Sequence, residues 1–203
     1  MEQKPKRPVR PARFISEDGK EIIEASMKKT IVKGGVTYKR VPREKPKSRA
    51  DRLGEYTDRV SKVHASLEEI QTKGQTIFDK MEALDEKPLT DKKALKKKQE
   101  LAKKMEAIVT EATTAMEDFD KDELDELTEE ITGWRDNMDS AGISHLPKYE
   151  EVSECSDALE QAQSEADTAE GVTITCFEDI QEAIDALQSV LDECENVSFP
   201  GMY

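Results

Sequence analysis

The sequence predicts an all-α protein. A long antiparallel, coiled-coil-like helical hairpin is followed by a small three-helix unit, and a basic arm carrying a β-hairpin precedes both. Three observations predict this. From Leu53 to Leu84 the residues Leu53, Tyr56, Val60, Val63, Leu67, Ile70, Gly74, Ile77, Met81 and Leu84 step by alternating threes and fours. Such a stripe lets one helix lie along another, and Gly74 is small enough to sit inside the seam. Second, hydrophobic residues make up 35% and aromatic ones 5%, while 37% are charged, which suits helices touching along narrow seams better than a thick core. Third, neither Gly nor Pro occurs between Leu89 and Thr132, so helix can persist across that span.

The elements follow in order. Residues 1–13 are rich in Pro and Arg and cannot bury enough surface to offset chain entropy. Gly34-Gly35, between Thr30-Ile31-Val32 and Val36-Thr37-Tyr38, marks a hairpin over 29–41; Asp18-Gly19 marks a weaker one over 14–24. Residues 42–50 read as a basic linker. The first helix spans about 51–86, roughly 50 Å at 1.5 Å per residue, and ends before Pro88. Four residues, Glu86–Leu89, join it to a second helix capped by Thr90, with Asp91 in its first turn, which favours an antiparallel pair. The second stripe is Leu101, Met105, Ile108, Ala112 and Phe119. It restarts out of phase at Leu124, which predicts a break near Asp120. A third helix carries Leu124, Leu127, Ile131, Trp134 and Met138. A fourth begins near Pro147 and thins to Ala162, Ala166 and Ala169, so its late turns must approach a neighbour closely or fray. Thr175 and Glu178 have the spacing of a capping box for a fifth helix carrying Phe177, Ile180, Ile184, Leu187, Leu191 and Cys194. Three domains are expected: the arm at 1–50, the hairpin at 51–120, and an acidic helical domain with an apolar tail at 121–203. The hairpin stripe needs cover, either from the C-terminal helices or from a second copy. The homodimer is favoured, because the C-terminal helices have their own seams to fill.

Charge divides the chain. Residues 1–52 hold 16 Lys and Arg against 7 Asp and Glu; residues 53–110 hold 12 against 11; residues 111–203 hold 3 against 27. The net charge of −14 opposes non-specific binding to polyanions by the chain as a whole, while the basic arm admits nucleic acid through Lys4, Lys6, Arg7, Arg10, Arg13, Lys39 and Arg40, with Phe14 and Tyr38 as stacking groups. Alternatively the arm is solvated, or docks on acidic surface.

No catalytic set is evident. Asp118, Asp120, Asp122 and Glu129 match positions one, three, five and twelve of an EF-hand loop. Glu123 replaces the turn-making Gly, Asp125 replaces the apolar eighth residue, and no second loop exists, so no metal site is expected beyond weak cation association. His64 and His145 lack partners at zinc-ligand spacing. The sparse cysteines read as reduced thiols; Cys155 and Cys194 fall on apolar stripes, and Cys176, near a helix start, is the most reactive candidate. There is no Gly-rich phosphate loop and no Ser nucleophile elbow. No cofactor is expected, no secretory signal opens the chain, and no apolar run approaches a bilayer span.

The C-terminal part resembles a family of short, uncharacterised helical proteins of tailed phages and prophages. Trp134-Arg135-Asp136-Asn137-Met138, Lys148–Cys155, Ala183–Leu187 and the closing Phe199-Pro200-Gly201-Met202-Tyr203 carry the resemblance, over about residues 120–203. It implies a small helical domain in a viral or mobile-element setting, acting in the host cytoplasm or with the virion, and it brings no activity. Trp134, Arg135, Phe199, Met202 and Tyr203 are the candidate partner-binding residues; Trp134, the single Trp, lies on an apolar stripe and reads first as a core anchor for the third helix, with an exposed anchor for a partner as the alternative. The expected function is a non-enzymatic scaffold or adaptor acting through protein contacts. The alternative is a nucleic-acid-binding accessory protein using the arm.

Overall fold

The structure, a computed structural model, describes residues 12–24, 26, 28–41, 46–85 and 92–201. Lys4, Lys6, Arg7, Arg10, Met202, Tyr203, the Glu86–Leu89 connection and the Thr90 cap lie outside the described residues. Contacts divide the chain into two compact units, Met1–Lys47 and Ser48–Tyr203.

The first unit contains strands β1 (Ala12–Ser16), β2 (Glu21–Glu24), β3 (Thr30–Lys33) and β4 (Val36–Arg40). Both expected hairpins form, with Gly19 (φ 77°) in the first turn and Gly34 (φ 59°) and Gly35 (φ 80°) in the second, a left-handed conformation that suits glycine. A further pairing joins them: β1 runs antiparallel to β4, with Phe14 opposite Arg40 and Ser16 opposite Tyr38, giving the order β2-β1-β4-β3. The chain is therefore mainly helical but not strictly all-α. Two hairpins that are each marginal alone become one four-stranded sheet, whose apolar face buries Ala12, Phe14 and Tyr38 against Ile22, Ile31 and Val36.

The second unit contains α1 (Arg49–Asp85), α2 (Lys92–Met116), α3 (Asp122–Ser140), α4 (Pro147–Gly171) and α5 (Asp179–Glu195). The break near Asp120 and the helix start at Pro147 are where the sequence predicts them. Ser48 and Asp51 make a reciprocal cap for α1: each backbone N–H donates to the other's side chain at 3.1 Å.

Helix α1 lies antiparallel to α3, with Arg49 Nε donating to Glu130 at 2.9 Å and Arg59 3.6 Å from Asp120. It is also antiparallel to α5: Leu53 and Cys194 share one groove near one end, and Gln71 bonds Gln181 near the other. Helix α4 runs back between α3 and α5, and the close approach expected of its alanines is present, with Ala162, Ala166 and Ala169 fully buried. The expected three-helix unit is thus a four-helix bundle, and the first half of α1 is its fourth helix. This corrects the covering of the stripe as well. Tyr56 and Leu67 are fully buried, and Leu53, Val63 and Ile70 nearly so, inside a single chain. Within the single chain the stripe from Leu53 to Ile70 has the intramolecular cover that was one of the two expected alternatives, supplied by α3 and α5. The Tyr56 hydroxyl is buried without a hydrogen-bond partner among the described residues.

Past Gly74, α1 leaves the bundle. Its remaining turns pair with α2, which runs antiparallel to it: Lys73 lies 3.2 Å from Glu111, and Ile108 packs over Gly74.

Candidate functional site

The basic residues of the sheet do not assemble into one surface. Alternation along the strands puts Arg13 and Lys39 on one face and Arg40 on the other. Arg13 donates to Glu21 at 2.8 Å and Lys39 lies 3.6 Å from Glu17. Phe14 and Tyr38, expected as stacking groups, are buried in the sheet's apolar face and present no ring to a base. Among the described residues of this unit the exposed large hydrophobics are instead Ile23 and Val32, on the Arg13 face.

Trp134 is half-buried against the bundle core. The Arg49 guanidinium lies 5.4 Å and the Lys148 ammonium 5.9 Å from its ring centroid, both within cation–π range. Lys148 also donates to the Gly201 carbonyl, which ties the tail to the same end of the bundle. Phe199 packs half-buried on the core there, and Pro200 is buried. Arg135 turns inward to α4, reaching Asp157 at 3.3 Å and Glu160 at 3.1 Å. The structure thus uses Trp134, Arg135 and Phe199 largely inside the chain.

The acidic segment is not shaped as a calcium loop. Asp122 to Glu129 lie on α3, so they span about 10 Å of helix and do not wrap a centre. Asp120 faces Arg59, and Asp125 accepts from Gln163 at 2.7 Å. Among the described residues no group of three or more His, Cys, Asp or Glu is placed to hold a metal ion.

Capping of α5 departs from the expected Thr175–Glu178 box. Asp179 supplies the carboxylate and accepts from Thr175 N–H and Oγ1 at 2.7 Å and from Cys176 N–H at 2.8 Å. These bonds, that of the Thr175 side chain foremost, hold Asp179 well below the usual carboxylate range. The same carboxylate takes a bond from the Cys176 thiol and pushes its pKa up, so the expected activated thiol is not formed. Burial pushes Cys155 up to about 11 and Cys194 up to about 12. Iodoacetamide at pH 7.5 should therefore label Cys176 slowly, and several-fold faster in Asp179→Asn, while Cys155 and Cys194 react only in denaturant. Equal Cys176 rates in the two proteins, followed by mass spectrometry, would refute this.

One feature escaped the sequence reading. Where α1 leaves the bundle, an apolar groove of about 550 Å³ opens between α1, α2 and the segment before α5. Phe78, Met81, Met105, Val109 and Phe177 form its floor and walls. Phe177 closes one end by lying on Gly74, where a Cβ would stand 2.2 Å from its ring, and by stacking on Phe78 with centroids 6.0 Å apart. Gly74 is therefore required by a close approach rather than by a turn. The sequence signal was a mismatch of length: an α1 of 37 residues cannot be covered end to end by an α5 of 17. Phe78, 39% exposed, and Leu95, 50% exposed, lie on this free end.

Compared with protein-family models, with curated proteins and with solved structures, the chain matches none of them.

Proposed function

We propose that this protein is a non-enzymatic scaffold or adaptor whose helical unit acts through protein–protein contacts, in the phage or mobile-element setting that the C-terminal motifs suggest. The observation that carries this is the free end of the α1–α2 hairpin, where an apolar groove faces solvent. The four-helix bundle anchors the hairpin, and the coiled-coil-like arm presents the groove. Two methionines in the lining give a surface that repacks around a partner. Among the described residues no helix is long and apolar enough to cross a membrane; the host cytoplasm, or association with the virion, is part of the setting that the motif resemblance suggests. The second reading, a nucleic-acid accessory role for residues 1–50, rests on their basic charge; the buried Phe14 and Tyr38 count against stacking.

A photo-crosslinking residue at Phe78, on the groove, should yield one or a few discrete protein adducts in the cell that encodes this chain. The same residue at Glu100 or Lys104, outside the groove lining, should not. Identical patterns at all three positions, or nucleic acid as the main adduct, would remove the adaptor reading.

A further inference from the structure

Resting on that reading, we infer that the groove at the free end of the hairpin binds a short amphipathic helix of a partner protein, apolar along one side and basic at its C-terminal end. The first argument is the charge of the lining. Glu106 and Glu178 are the charged residues that line the groove, and no lysine or arginine lines it. They stand on different walls, Glu106 on α2 and Glu178 in the segment before α5. Among the described residues neither is in an ion pair. Glu82, four residues after Phe78 and so on the same side of α1, adds a third exposed carboxylate along the rim. An apolar floor under uncompensated carboxylates selects an apolar ligand that carries cations, and it repels an acidic one. The net charge of −14 acts in the same direction over a longer range.

The second argument is the shape and direction of the groove. From Ala102 to Thr110 its α2 wall is roughly 12 Å long, about two turns, which suits apolar anchors at i, i+4 and i+7 of an incoming helix. Helices α1 and α2 already carry a third helix at one end of it: α5 packs on both, and Phe177, just before α5, lies on Gly74. An occupant of the groove continues that three-helix packing towards the hairpin tip. Glu178 is next to Phe177, at the Gly74 end. The exposed lysines of α2, Lys93, Lys96, Lys97, Lys103 and Lys104, all precede Glu106, on its tip side, and stand outside the lining. They repel cations at that end. The basic residues of the occupant therefore belong beside Glu106 and Glu178, and its apolar residues over Met81 and Ala102. Cations at the C-terminal end of a helix also suit its dipole, so the occupant runs antiparallel to α1, as α5 does.

The probe is a fluorescein-labelled, helix-stapled peptide of about 14 residues, with leucines at i, i+4 and i+7, lysines in its last turn and glutamine elsewhere. A comparison peptide carries glutamate in place of the lysines. Anisotropy against the full chain should saturate with a micromolar Kd for the lysine peptide and at least about tenfold more weakly for the glutamate one. Phe78→Ala should weaken the lysine peptide at least about tenfold. Glu106→Gln with Glu178→Gln changes only exposed side chains, should keep the fold by circular dichroism, and should remove most of the preference for lysine over glutamate. Glu129→Gln with Glu150→Gln makes the same charge change at exposed positions outside the groove and should leave binding within about twofold. No saturable binding up to about 1 mM overturns the inference. So does a glutamate peptide that binds as well as the lysine one, or equal binding by the parent, Phe78→Ala and both double variants. So does a chain that sediments as a dimer at about 100 µM and as a monomer in Phe78→Ala, which would give the groove to a second copy. If the lysine peptide fails while a crosslinker at Phe78 still captures discrete proteins, the adaptor reading stands and only the basic-helix partner is lost; if both fail, both go.

Discussion

Leu67→Ala should lower the thermal midpoint of the helical unit by about 5–15 °C. Leu67 is fully buried in the middle of α1, on the half that belongs to the bundle. Leu-to-Ala changes in such sites cost about 2–5 kcal/mol through lost transfer energy and the cavity left behind. In a unit of this size each kcal/mol moves the midpoint by roughly 2–4 °C. Leu159→Ala, fully buried on α4, should shift the same transition by a similar amount, because α1 is the fourth helix of the bundle to which α4 belongs. Met81→Ala, half-buried on the free end, should cost under about 1 kcal/mol. The measurement is a pair of melting curves followed by circular dichroism at 222 nm and by fluorescence of Trp134, the single Trp, which sits in the bundle. If Leu67→Ala moved one transition and Leu159→Ala a separate one, hairpin and bundle would be independent units and the shared role of α1 would be wrong.

What the sequence made legible was local. The stripe from Leu53 to Leu84 fixes a helix because each apolar residue faces the same way over successive turns, and α1 spans Arg49–Asp85. The change of phase between Phe119 and Leu124 fixes a break, and α3 starts at Asp122. Gly19, Gly34 and Gly35 fix two turns because few other residues tolerate their backbone. Pairing between distant segments was not legible. Any apolar stripe of this period satisfies any other, so nothing in Leu53–Ile70 says that α3 and α5 cover it rather than a second copy. The β1–β4 ladder is the same case: Phe14 and Arg40 are brought together by no turn signal.

The surroundings of the candidate site residues were illegible for a related reason. Trp134, Arg135 and Phe199 stood out by residue type, and the fold spends them on Arg49, Lys148, Asp157, Glu160 and the core. Phe78 looked unremarkable because it sits one residue off the stripe. It matters because α5 ends before reaching it. The helix start near residue 178 was legible to within one residue, yet that residue decides the chemistry. Asp179, not Glu178, receives the Thr175 and Cys176 bonds, and its carboxylate raises the pKa of the Cys176 thiol where a bare helix start would lower it.

Arg52→Ala should destabilise the helical unit by about 1–3 kcal/mol at pH 7, and by less in acid. The Arg52 guanidinium reaches three carboxylates of α3, Glu123, Glu130 and, at 2.9 Å, Glu126, and its side chain is only 19% exposed. Arg49 adds a second bond to Glu130 at 2.9 Å. Removing Arg52 strips this cluster of its main counter-charge and leaves like charges three and four residues apart on one helix, which repel. The bonds from Arg52, then Arg49, hold Glu130 below its ordinary value of 4.5. A carboxylate with a depressed folded pKa contributes stability that is complete above its unfolded pKa and is lost as pH falls through the folded one. The share of the Arg52→Ala penalty that runs through Glu130 is therefore full at neutral pH and fades as pH falls through that depressed pKa. Arg52→Lys keeps the charge without the planar fork and should fall between the two. Urea midpoints at pH 7 and pH 3.5, each at 0.1 and 0.5 M salt, test this. An Arg52→Ala penalty unchanged across that pH range would mean that the residue acts by packing of its stem and not through the three glutamates.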